Sequence, residues 1–92
     1  MVLNGHRHFY ERFALQDPDG NPDPVSGIKE FIVGTGGVPS GQPTNIAPNS
    51  ELQARTWGVI MFRLREGSYT WEFIPAIPAG TTFTDSESGT CH

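Results

Sequence analysis

Two histidines near the start of the chain are the side chains best suited to chemistry. His6 and His8 stand two positions apart after Gly5, and a sharp turn at this glycine would let both imidazoles point at one site. Neutral imidazole is a common metal ligand, and two adjacent metals can clamp both oxygens of an in-line phosphoryl displacement. The spacing therefore allows a metal site, while a polar surface loop without metal is the simpler alternative.

Alternating oxygen-bearing side chains between Asp17 and Asp23 suggest a second ligand pattern. Calcium loops of the EF-hand type use such alternation, but they need glycine at position six and glutamate at position twelve. Counted from Asp17, Gly20 is at position four and Ile28 is at position twelve. Together with the prolines in this segment, these departures favour a solvated turn over a calcium site.

A glycine-rich segment, Gly34–Gly37, could offer backbone amides to a phosphate group. It lacks the lysine, the glycine spacing and the long following helix of a phosphate-binding P-loop. We therefore expect a tight turn close to the two histidines.

The composition limits the classes of protein to consider. The chain has 92 residues, which suits one small domain, and a net charge of −4 without basic clusters, which argues against nucleic acid and anionic membranes as partners. No apolar run is long enough to cross a bilayer, and no signal peptide is expected. The single Cys91 cannot form an internal disulfide, so the cellular compartment is left open.

Short strands separated by long loops are the elements predicted around these residues. The 11 glycines and 8 prolines indicate many turns. The individual predictions are the end of a buried strand at Val2-Leu3, a loop over 16–27, a strand at Ile28–Val33, a loop over 38–50, and one or two helical turns at Ser50–Arg55 opened by a capping box of Ser50 and Gln53.

A hairpin from Gly58 to Pro75 is the clearest element, with its turn at Glu66-Gly67. Folding the chain there makes one face of the hairpin apolar. The facing pairs on it are Leu64 with Tyr69, Phe62 with Trp71, and Ile60 with Phe73. The aromatic residues could stack on carbohydrate, but their apolar partners favour core packing.

The apolar face of this hairpin needs a cover. Within the chain the candidates are the strand around Phe31, the segment Phe9–Leu15, Trp57 and Phe83. The sequence contains no amphipathic helix that could lie on the sheet. The pattern therefore predicts half of a two-layer structure, which associates with itself or with a partner through the hairpin face.

The segment from Gly5 to Arg12, Gly-His-Arg-His-Phe-Tyr-Glu-Arg, resembles the last motif of the calcineurin-like metallophosphoesterases. That motif is Gly-His-x-His, and the form Gly-His-x-His-x-Tyr-Glu-Arg is similar to the purple acid phosphatase branch. Further resemblances follow in family order at Ile32–Gly37, Thr56–Val59, Gly67–Phe73, Phe83–Ser86 and Gly89–His92. The resemblance spans nearly the whole chain.

The resemblance implies a two-metal centre of iron, zinc or manganese that hydrolyses phosphate esters. In it His6 would bind the divalent metal and His8 the other, often ferric, metal. Tyr10, Glu11 and Arg12 would orient the loop without touching the metals. The family's Asp-x-His, Gly-Asp, Gly-Asn-His and lone-His motifs precede this region and are not in the chain. We therefore expect residues 1–92 to be a C-terminal segment of a catalytic domain, metal-free and without a catalytic residue when isolated.

The predicted architecture is mainly β, with three to five short strands in a partial antiparallel or mixed sheet with long loops. It would form half of a metallophosphoesterase sandwich, and the remainder of that domain would be its partner. A stand-alone β binding or interaction module without catalysis is the alternative. A metal held by His6 and His8 together with carboxylates from outside the chain would favour the phosphoesterase segment. A hairpin face fully covered by residues of the same chain would favour the stand-alone module.

Overall fold

The fold is built from β-strands and long loops. The computed structural model describes residues 1–38, 41, 44–77 and 82–92. Within these ranges there is no α-helix, and so no helix long and apolar enough to span a membrane. The strands there are β1 (Val2–Asn4), β2 (Tyr10–Phe13), β3 (Glu30–Val33), β4 (Ser50–Ala54), β5 (Gly58–Arg65), β6 (Ser68–Pro75) and β7 (Ser86–Thr90). The mainly β prediction is confirmed, although these strands outnumber the three to five expected.

The strands β5 and β6 form the hairpin that the sequence predicts. Their antiparallel register pairs Leu64 with Tyr69, Phe62 with Trp71, and Ile60 with Phe73. Gly67 closes the turn with a φ of 74°, a left-handed conformation that glycine adopts without steric cost. The predicted register is therefore confirmed along the whole hairpin.

The strands are arranged in two sheets. One has the order β1-β3-β2-β4, in which β1 is parallel to β3 and the other pairs are antiparallel. The other has the order β5-β6-β7 and is antiparallel. Because β1 and β3 are parallel, the loops that follow them leave the sheet at the same edge.

Strand β4 replaces the short helix predicted from Ser50 to Arg55, so that prediction is wrong. The segment pairs with β2, and Gln53 donates from Nε2 to the Glu11 carboxylate (2.6 Å) across this pair. One or two helical turns would leave most backbone groups unsatisfied, whereas the ladder with β2 pairs them. Of the predicted loop before it, residues 39–40 and 42–43 lie outside the described ranges.

The core lies between the two sheets and is aromatic. Tyr10 and Phe31 come from the larger sheet, and Tyr69, Trp71 and Phe73 come from the smaller one. All five side chains are at most 4% exposed. Phe31 meets Trp71 edge-on, with 5.0 Å between ring centroids, and Tyr10 meets Phe73 in the same way at 5.1 Å. The aromatic face of β6 is therefore core, as predicted, and not an exposed platform for carbohydrate.

In the part of the chain that the structure describes, one side of this sandwich is open. β1 and β5 are the outer strands there, and a groove of about 330 Å³ between them is lined by Leu3, Val59 and Ile60 among others. Val2 and Leu3 are 45% and 52% exposed, and Leu64 is 69% exposed. The prediction that Val2-Leu3 is buried is therefore wrong for this chain, because no element in the described ranges covers β1.

Candidate functional site

The histidine loop between β1 and β2 is built from two consecutive three-residue turns. The amide of Arg7 donates to the carbonyl of Gly5 (2.8 Å), with His6 at the centre of the turn. The amide of Phe9 donates to the carbonyl of Arg7 (2.9 Å), with His8 at the centre. These are γ-turns, and the one at His6 has a φ of 70°, the rare and strained form. The turn predicted at Gly5 is thus centred one residue later, on His6 itself.

Backbone contacts from neighbouring loops hold this turn. Gly34, which follows β3, donates to the carbonyl of Phe9 (3.2 Å), and Gly41 donates to the carbonyl of His8 (2.9 Å). A Cβ atom on Gly34 would lie 1.8 Å from the carbonyl oxygen of Arg7, so only glycine fits where the two loops touch. The glycine-rich segment lies beside the histidine loop, as predicted, because the parallel strands β1 and β3 end at the same edge.

The side chains of His6 and His8 are both exposed. Within the ranges given above, no three His, Cys, Asp or Glu side chains lie close enough together to hold a metal ion. Each metal of a two-metal centre needs about four ligands from protein and water. The two imidazoles therefore fit a part of such a centre and not the whole, and no reaction step follows from the described residues alone.

A buried carboxylate, Asp85, joins the strand after the histidine loop to the smaller sheet. Its Oδ2 atom accepts hydrogen bonds from Tyr10 Oη (2.5 Å), Arg12 Nε (2.8 Å) and Trp71 Nε1 (3.1 Å). Its Oδ1 atom accepts a longer one from Arg12 Nη2 (3.3 Å), and its backbone carbonyl accepts the amide of Phe73 (2.8 Å). Sequence reasoning missed Asp85, because a single aspartate in a polar tail carries no signal of burial.

The charges in this cluster shift one another's pKa values. Burial would raise the pKa of Asp85, but the hydrogen bonds from Arg12, Tyr10 and Trp71 outweigh burial, and the pKa is lowered. The pKa of the Tyr10 phenol is raised, mainly because the side chain is buried and also because the carboxylate of Asp85 is next to it. Burial would lower the pKa of Arg12, but Asp85 and nearby glutamates raise it overall. At neutral pH the cluster therefore contains a carboxylate, a guanidinium and a neutral phenol.

The guanidinium of Arg12 extends the cluster towards the surface. Its Nη1 atom pairs with the carboxylate of Glu51 in β4 and lies 3.7 Å from that of Glu87 in β7. Lys29 also pairs with Glu51 (2.9 Å). Both cations lie over the ring of Trp71, at 5.7 Å and 5.9 Å from its centroid. These charges close the side of the sandwich formed by β4 and β7, opposite the open side.

The three residues predicted to orient the loop, Tyr10, Glu11 and Arg12, are all buried in β2. Tyr10 and Arg12 contact Asp85 on the face towards the smaller sheet, whereas Glu11 accepts a hydrogen bond from Gln53 in β4. The three side chains thus connect β2 both to the smaller sheet and to its neighbour β4. Their effect on a metal ligand stays a prediction.

The acidic loop uses its carboxylates to fold its own backbone. Oδ1 of Asp17 accepts the amides of Asp19 (2.9 Å) and Asn21 (2.8 Å), and Oδ1 of Asp23 accepts the amide of Ser26 (2.9 Å). The backbone amide of Asn21 is the main cause of the lowered pKa of Asp17. This is the hydrogen bonding of a solvated turn, which the sequence favours over a calcium site.

Comparison with known proteins gives no family assignment for this geometry. The chain matches no protein-family model, no curated protein and no solved structure. A function therefore has to follow from the side chains and their arrangement.

Proposed function

We propose that this chain is the C-terminal part of a two-metal phosphoesterase that hydrolyses phosphate esters, and that it supplies a metal-ligand loop to that enzyme. The observation that carries the proposal is the placement of His6 and His8 on a strained, exposed turn directly after β1. A strained backbone conformation of this kind costs about 1–3 kcal/mol and is concentrated at functional sites. The resemblance of the segment from Gly5 to Arg12 to the metallophosphoesterase motif supports the same assignment.

The open side of the sandwich gives the proposal a second support. Parallel strands are normally buried on both faces, yet in the described part of the chain β1 is an exposed outer strand of its sheet. Leu3 and Val59 are 52% and 59% exposed on the two walls of the groove between β1 and β5. We place the remainder of the phosphoesterase domain on this side, where it brings the carboxylate and amide ligands that two imidazoles require.

Each residue of the loop then has a distinct part. His6 would bind a divalent metal and His8 the second metal, and iron, zinc or manganese at these positions would supply an activated water and stabilise the charge of the transition state. Tyr10, Glu11 and Arg12 hold β2 and, through it, the end of the loop that carries His8.

Turnover of a phosphate ester tests the proposal. The purified chain, supplied with iron, zinc and manganese, should not hydrolyse p-nitrophenyl phosphate. The coding DNA upstream of the chain should encode the missing motifs, and the chain joined to that segment in one polypeptide should hydrolyse the ester. His6→Ala or His8→Ala should then lower kcat/KM by about 100-fold or more, because each removes a metal ligand.

The matched control for these substitutions is His92→Ala, since His92 is exposed but lies outside the loop. It should leave hydrolysis unchanged. An upstream sequence without the motifs would contradict the proposal, and so would hydrolysis in the joined protein that neither loop substitution affects. Hydrolysis by the isolated chain that His6→Ala removes would contradict the dependence on outside ligands.

A stand-alone β binding module without catalysis is the second candidate, and the buried core favours it. Tyr69, Trp71 and Phe73 are covered by residues of the same chain. Ile60 and Leu64 on the neighbouring strand are not fully buried, so the hairpin face is covered only in part. A compact monomer with no turnover in any joined form is the outcome that would favour this candidate.

A further inference from the structure

We propose that Asp85 is a positioning residue for the histidine loop, because it accepts hydrogen bonds from two residues of the strand that follows the loop. This proposal deepens the function proposed above, and its consequence for metal binding rests on that function. The claim that Asp85 holds the loop stands on the contacts within this chain alone.

The loop needs an anchor because of its strain. A γ-turn with a positive φ persists only where the surrounding structure over-determines it. The hydrogen bonds from Gly34 and Gly41 come from the connection between β3 and β4, two strands of the larger sheet. Tyr10 is two residues after His8 and fully buried, and its hydroxyl donates to Asp85 at 2.5 Å. The end of the loop is therefore fixed by a contact to the other sheet.

Asp85 can act as an anchor because it is itself held rigidly. Its backbone carbonyl accepts the amide of Phe73 in β6, the central strand of the smaller sheet, and its carboxylate accepts the indole N–H of Trp71 in the same strand. Hydrogen bonds to an ionised carboxylate are about twice as strong as neutral ones. The carboxylate is thus attached to the smaller sheet by contacts that do not involve Tyr10 or Arg12.

The side-chain contacts of β2 with β4 act in a different direction. Glu11 bonds to Gln53, and Arg12 pairs with Glu51, and both of those partners belong to β4 in the same sheet. They fix β2 within its sheet, whereas Asp85 accepts the hydrogen bonds that tie β2 to the opposite sheet. Releasing Asp85 should therefore free the start of β2 and the loop before it, while β2 keeps its neighbours.

Amide hydrogen exchange of the 92-residue chain tests this inference. Asp85→Asn keeps the side-chain volume but removes the negative charge of the group that accepts the hydrogen bonds of Tyr10 and Arg12. The amides of Phe9 and Gly34, which close the loop, should exchange about tenfold faster relative to the amides of the β5–β6 hairpin, because the lower global stability of the variant accelerates exchange in both regions by a common factor. Asp85→Glu, which restores the charge, should recover most of the protection.

Two further variants keep the test decisive. Tyr10→Phe removes one donor without emptying the core, and it should accelerate the same two amides by a smaller factor even if Asp85→Asn does not fold. Asp19→Asn, a matched change at an exposed aspartate, should leave them unchanged. Equal acceleration in the loop and the hairpin, or no acceleration of the loop in either variant, would overturn the inference.

The effect of Asp85 on metal binding is measured in the protein in which the chain is joined to its upstream segment. Asp85→Asn should raise the Zn²⁺ concentration needed for half-maximal turnover by about 10- to 100-fold, and excess Zn²⁺ should restore turnover. Absence of turnover in the unmodified joined protein would count against the proposed function, while the exchange result would still decide the positioning role. Turnover with normal Zn²⁺ dependence in Asp85→Asn would count against the positioning role alone.

Discussion

Asp85 shows how a buried charge is made tolerable in a small protein. Removing a carboxylate from water costs several kcal/mol, and a buried ion pair offsets that cost only when its geometry is good and the remaining lone pairs are satisfied. Here Arg12, Tyr10 and Trp71 all donate to Asp85, which is 8% exposed. The carboxylate is satisfied, and removing either its charge or its donors is costly.

Acid should weaken this contact in a defined pH range. The pKa of Asp85 is lower in the folded chain than the value of about 3.9 expected when it is unfolded. Its contribution is therefore fully present above that value and is lost as the pH falls through the folded pKa. Asp85→Asn should lower the free energy of unfolding by about 3 kcal/mol at pH 7, and its difference from the unmodified chain should shrink below about pH 4.

Urea unfolding at a series of pH values measures this difference. Asp19→Asn serves as the control, because Asp19 is exposed, and it should change little at any pH. A stability difference for Asp85→Asn that stays constant from about pH 7 down to about pH 2 would show that ionised Asp85 is not the stabilising form.

The strands differ in how far their formation depends on distant residues. β5 and β6 are joined by a two-residue turn at Glu66-Gly67 and carry their alternating apolar pattern locally, so the sequence predicts their register. β4 and β7 lack such a pattern. β4 becomes a strand because β2 offers it an edge, and β7 because β6 does. The helix predicted at Ser50–Arg55 is wrong because the local sequence of this segment does not contain its partner strand β2.

The contact between the end of β3 and the histidine loop predicts the effect of a glycine substitution. Gly34→Ala should lower the free energy of unfolding by about 2–4 kcal/mol, because its Cβ atom would overlap the carbonyl group of Arg7 and the backbone has to move. Urea unfolding measures this change, and exchange of the Phe9 amide reports the disturbed loop.

Gly36→Ala is the matched control two residues along the same segment. A Cβ atom there meets nothing within 4 Å, so the cost should stay below about 1 kcal/mol. Equal stability of the two variants would contradict the close approach of the two loops.

At the scale of the molecule, the described residues form a sandwich with one closed side and one open side. The closed side carries Arg12 and Lys29 between Glu51 and Glu87, and charged residues at outer strands discourage pairing with other chains. The open side presents β1 and β5 with Leu3 and Val59 exposed. Unpaired edges flanked by apolar side chains are the usual sites of association.

Self-association of the isolated chain is the prediction that follows. Analytical ultracentrifugation should show dimers or larger species at high concentration. Val59→Lys should weaken association by about tenfold or more, because it places a charge in the groove between β1 and β5. Ile46→Lys is the control, since Ile46 is 79% exposed but does not line that groove. A wild-type chain that stays monomeric at high concentration would contradict the prediction.

Local signals in the sequence were enough for the mainly β class, the hairpin with its register, the aromatic core face of β6 and the histidine loop. Each of these depends on turn chemistry or alternation within a few residues. Packing of the two sheets decided the rest: Tyr10 and Asp85 meet although they are 75 positions apart, and β4 and β7 form against partners that are distant in the chain. Because burial and hydrogen bonding between such segments exist only after the sheets have assembled, no local pattern could have indicated Asp85.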